Sequence, residues 1–146
     1  MPRIYFLSNI FSILFITFIV FFSNVILSIH FITLFFAGLV FVSFIQSISF
    51  KNYRFLFFII LSFVFIEISN GLAIGSLSLL SFFIYTFIVP KIGNYLESKI
   101  LYYGLLNIIF YVGVFFLFTI NSEIDNILIS KILFNCILDI LIVSFI

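Results

Sequence analysis

The sequence predicts an all-α integral membrane protein, a compact bundle of about six transmembrane helices, on three observations. Apolar residues make up 66% of the 146-residue chain and charged ones only 8%, whereas a soluble domain carries about 25% charged residues. Six basic and five acidic side chains cannot cover a water-facing surface of that size. The apolar residues also fall in runs of about twenty, and a helix rising about 1.5 Å per residue needs that length to cross a hydrocarbon core of about 30 Å. The connections are so short that residues 1–146 read as a single transmembrane helical-bundle domain, with nothing outside the membrane large enough to fold alone.

The first apolar run covers about residues 4–23. It continues through Ser23-Asn24-Val25 without a small-x-small cleavage site, so it is expected to stay as a membrane helix rather than leave as a signal peptide. Further spans are expected over about 29–50, 54–69, 73–90, 100–120 and 127–146. Asn24 and Ser28 mark the first connection, Lys51 to Arg54 the second, Ser69-Asn70-Gly71 the third, Pro90 to Lys99 the fourth and Asn121 to Asn126 the fifth. Glu67 interrupts the third run and Asn70-Gly71 reads as a turn. The alternative is therefore a five-helix protein, in which 54–75 forms one helix plus a re-entrant or interfacial stretch.

Lys and Arg are enriched in cytoplasmic loops. Arg3, Lys51, Arg54, Lys91 and Lys99 fall at the N-terminus and in the second and fourth connections, and only Lys131 does not. Tyr5, Tyr53, Tyr95, Tyr102 and Tyr103 fall beside the same basic clusters, as amphipathic rings at the headgroup level do. Both patterns predict an N-in, C-in, multi-pass topology. The net charge of +1 and the absence of a long basic run argue against nucleic acid as a partner. The 26 phenylalanines read as packing or lipid-facing side chains.

Ionisable and amide side chains inside membrane helices are costly, so each asks for a reason. Lys131, Asn135 and Asp139 recur every four residues and share one face of the last helix, which should point toward other helices or a partner. Tyr103, Asn107 and Tyr111 form a similar stripe, and an Asn107–Asn135 hydrogen bond could join the two helices. Glu67 is expected either at the outer interface, solvated, or in the bundle. Gly71 and Gly75, four apart, are expected to allow close approach of two helices.

Cys136 and His30 are each alone in their type, so no intramolecular disulfide and no cysteine-based metal site is expected, and no cofactor or metal is expected. No Ser-His-acid set, HExxH, phosphate loop or paired carboxylates at membrane depth is present, so the chain is not expected to be an enzyme.

The stretch Glu67-Ile68-Ser69-Asn70-Gly71-Leu72-Ala73-Ile74-Gly75-Ser76-Leu77-Ser78-Leu79 is similar to the signature of the rod shape-determining protein MreD family. That family shows an acidic residue, Gly four positions on, Gly four further, then a small residue and Leu. These roles fall on Glu67, Gly71, Gly75, Ser78 and Leu79, with Glu67 where the family usually has Asp. Asn135 in the terminal helix is a second point of similarity. The resemblance implies a non-enzymatic component of the bacterial cell-elongation machinery in the cytoplasmic (inner) membrane. Its partners, besides the lipid bilayer, would be an MreC-like scaffold protein and the cell-wall (peptidoglycan) synthesis proteins. The alternative is a small-molecule (vitamin) capture subunit of an energy-coupling factor type transporter, also a small bundle of about six helices, which would hold a ligand near its outer end.

Overall fold

The computed structural model describes residues 36–93, 98–121 and 126–144, together with Phe18, Ile19 and Phe22. The span expected over 4–23, the first connection, His30 and the acidic pair of the fifth connection lie otherwise outside the described residues. The described chain is helical: α1 (Ala37–Ser49), α2 (Tyr53–Asn70), α3 (Ser76–Phe87), the single turn α4 (Val89–Ile92), α5 (Lys99–Asn121) and α6 (Asn126–Ser144). Helix α2 and the Ile100–Ile120 stretch of α5 are each long and apolar enough to cross a membrane.

The expected boundaries for α2, α5 and α6 fall within a few residues of those observed, because apolar runs there are bounded by polar connections. Two others differ. Of the span expected over 29–50, the described part begins at Phe36, whose φ of 61° is left-handed and interrupts a right-handed helix, and is helical over Ala37–Ser49. At 13 residues, α1 is about 20 Å long, too short to cross a hydrocarbon core alone. The span expected over 73–90 begins at Ser76, since 71–75 form a turn, and breaks at Ile88 before α4, where Pro90 has no N–H to give. Over 54–75, which the five-helix alternative reads as one helix plus a re-entrant or interfacial stretch, α2 ends at Asn70 and the chain turns before it re-enters helix at Ser76.

Tight caps make the hairpin α1–α2. The Lys51 N–H reaches the Ile48 carbonyl and the Asn52 N–H reaches the Ser47 carbonyl, the two bonds of a Schellman motif, with Lys51 at φ 55°. Asn52 then caps α2 by accepting from the Phe55 N–H at 3.4 Å. Packing joins α1 to α2, α3, α5 and α6, so the shortest of the principal helices after α3 is the most central. Phe41 of α1 stacks on Phe110 of α5 at 4.5 Å and 9°, and Phe63 of α2 lies against Phe110 at 6.3 Å. Helix α3 reaches α5 through Leu80, whose side chain fills the space where a Cβ at Gly113 would be, 2.6 Å away.

Candidate functional site

Every helix start leaves main-chain N–H groups without partners inside the helix. Water satisfies them on a soluble protein. In an apolar bundle it cannot, and each orphan costs several kcal/mol. Both α1 and α3 begin on a residue in the left-handed region, Phe36 and Gly75 (φ 90°), and neither takes a cap from its own N-cap side chain. In both, a buried carboxylate from another helix does the work.

At α3 the carboxylate is Glu67, with no exposed surface. Its Oε2 accepts from the Gly75 N–H at 2.7 Å and its Oε1 from the Leu77 N–H at 2.6 Å, with the Ser76 hydroxyl at 3.5 Å. The main chain of the same residue closes α2: the Leu72 N–H reaches the Glu67 carbonyl and the Gly71 N–H the Ile68 carbonyl, a second Schellman motif with Gly71 at φ 68°. Glu67 is therefore not a solvated interfacial residue. Gly71 and Gly75 do not bring helices together either, since a Cβ on either would meet nothing within 4 Å. They are present because both positions need φ above zero.

At α1 the carboxylate is Asp139, on the inner face of α6 and only 1% exposed. Its Oδ2 accepts from the Gly38 N–H at 2.7 Å and from the Tyr111 hydroxyl at 2.5 Å. The Gly38 N–H leans toward the Tyr111 oxygen as well, at 3.4 Å. A Cβ on Gly38 would lie 2.7 Å from both Asp139 Oδ2 and Asn107 Oδ1, and 3.0 Å from the Tyr111 ring, so only glycine lets α1 enter here. Asn107 and Tyr111 flank the middle of the apolar Ile100–Ile120 run. The start of α1 thus sits halfway along a segment long enough to cross a membrane.

The two arrangements share one logic. Charge-assisted hydrogen bonds and the positive end of the helix dipole stabilise a carboxylate in a dry setting, and the carboxylate satisfies amides that have no other partner. Each cap is held by main-chain or phenolic donors instead of a cation.

Of the sequence-predicted residues, the structure brings Asn107, Tyr111, Asn135 and Asp139 into one buried region, while Glu67, Gly71 and Gly75 make a separate turn. Lys131 is only half-buried. The Asn107–Asn135 hydrogen bond does not form: both polar atoms of the Asn107 side chain are buried without a partner. Sequence reasoning missed Gly38 and Gly113. The signal for Gly38 was a lone glycine in the apolar run Leu34-Phe35-Phe36-Ala37-Gly38-Leu39, a mark of close backbone approach. No protein-family model, no curated protein and no solved structure matches the chain.

Proposed function

We propose that the chain is a multi-pass protein of the bacterial cytoplasmic membrane, with about six spans and its N-terminus inside, and that it acts in cell elongation as MreD-like proteins do. It catalyses no reaction in this role. It works as a rigid helical partner for an MreC-like scaffold and the side-wall peptidoglycan synthesis proteins.

The observation that carries this reading is the Glu67–Gly75 turn. The residues on which the resemblance rests form one unit, in which an acidic residue, a Schellman glycine and an N-cap glycine at four-residue spacings each have a distinct structural duty. Such a unit shapes a surface and leaves no reactive group free. Lipid as solvent is supported by large apolar side chains on the outside of α2, α3, α5 and α6, among them Phe57, Leu79, Phe82, Phe116 and Ile137. One basic end is supported by the exposure of Lys51, Arg54 and Lys91, with α3 returning along α2.

Depletion followed by microscopy tests the role. Rod-shaped cells that depend on the protein should become round, and the MreC-like scaffold should no longer co-purify with a Glu67→Ala variant that still inserts. Rods of normal width after complete loss of the protein would end this reading. Normal shape with failed uptake of one nutrient would establish the capture-subunit alternative in its place.

A further inference from the structure

We propose that Asp139 is a reversible proton-binding site, with Asn107 as the partner that receives the proton's hydrogen bond. The ionised state is the one described above, in which the carboxylate accepts from Gly38 and Tyr111 and caps α1. The protonated state needs something different. A neutral carboxyl becomes a donor and requires a buried acceptor within reach.

Asn107 offers one on the same side of Gly38. Asn107 has no exposed surface, and its Oδ1 has no partner. That oxygen and Asp139 Oδ2 approach the same point beside Gly38, each 2.7 Å from where a Cβ would be. A buried amide without hydrogen bonds costs about 1–3 kcal/mol and calls for an explanation. A proton on Asp139 supplies one, because Oδ2–H can donate to Asn107 Oδ1 while Tyr111 keeps donating to the carboxyl.

Among the described residues, no competing charge faces the pair from the elements packed on it. Helix α1 carries no titratable side chain, α5 contributes Tyr111 and, one turn before Asn107 on the same stripe, Tyr103, and on α6 itself the nearest are the half-buried Cys136, one turn before Asp139, and Lys131, two turns before. Loading the proton removes the negative charge from the start of α1 and so weakens its cap. The site would couple proton occupancy to how firmly α1 is held against α6.

Dicyclohexylcarbodiimide tests this in the purified protein in lipid vesicles. The reagent adds to a protonated carboxyl in an apolar setting, taking the proton onto its own nitrogen, and the adduct is located by peptide mass. From about pH 9 to about pH 5, labelling of Asp139 should rise through one titration step. In Asn107→Leu the midpoint should fall by about one pH unit, a tenfold loss of proton affinity, because the protonated form loses its acceptor. As a measurement on the unmodified protein, infrared difference spectra between the two pH limits should contain the carbonyl stretch of a protonated carboxyl that Asp139→Asn lacks. Absent or pH-independent labelling, or no such band, would overturn the proposal. So would a midpoint that rises in Asn107→Leu, since Asn107 would then be donating to the charged carboxylate. None of these readouts depends on a role in cell elongation.

Discussion

The starts of α3 and α1 solve one problem in two ways. The carboxylate over α3 comes from Glu67, eight and ten residues before the amides it holds, whereas the one over α1 comes from Asp139, 101 residues after Gly38. The first cap is local: once α2 has formed, its last turn carries the acceptor that the next helix needs. The second is tertiary and exists only when α1, α5 and α6 are together. A local cap fixes the geometry of a hairpin, and a remote one holds a bundle closed.

The sharpest way to break the comparison is to remove each carboxylate in turn. Asp139→Leu leaves the Gly38 amide and the Tyr111 hydroxyl without this acceptor and should destabilise the folded protein by at least about 3 kcal/mol. The loss should appear in denaturant unfolding in detergent and as weakened disulfide trapping between cysteines placed on α1 and α6. Glu67→Ala removes two strong bonds and should cost somewhat less, about 2–4 kcal/mol. Its signature should be faster hydrogen exchange at the Gly75 and Leu77 amides with Gly38 unchanged. Equal disturbance of both helix starts by either substitution would refute the division into local and remote caps.

Glycine substitutions sharpen it further. Gly38→Ala pushes a methyl group against Asp139 and Asn107 and should cost about 1–3 kcal/mol through displaced packing. Gly75→Ala meets open space and should cost about 1 kcal/mol, all of it from the left-handed backbone. The two can be told apart by adding Gly75→Asn, which tolerates that conformation better and should recover part of the loss, whereas Gly38→Asn should be worse than Gly38→Ala.

The smallest effect has the opposite sign. Gly104 lies in the interior of α5 with nothing within 4 Å of a new Cβ, so Gly104→Ala should stabilise by about 0.5–1 kcal/mol. A loss of stability there, in the same unfolding measurement, would mean that this face of α5 is not open.

Much of the fold was legible because long apolar runs bounded by polar connections leave few ways to be read, as with α5 between Lys99 and Asn121. The break at Phe36 was not. Its neighbours are all apolar, and the run 29–50 carries no turn residue beyond Gly38 to betray a left-handed backbone. The acidic and glycine residues of 67–75 stood out, but their spacing suggests helix packing as readily as it suggests caps. Distinguishing the two requires φ, which spacing does not contain. Asp139 and Asn135 could be placed on one helical face from their spacing of four, yet the partner of Asp139 is a main-chain amide, and no pattern of side chains announces that.

The contact between Gly38 and Asp139 also has a consequence in time. A ribosome adding about 5–20 residues per second needs about 5–20 s to travel the 101 residues between them. Throughout that interval the Gly38 amide is without the carboxylate that caps it. A nascent chain therefore lacks this cap until the last helix arrives, and truncation before Asp139 leaves the start of α1 without it.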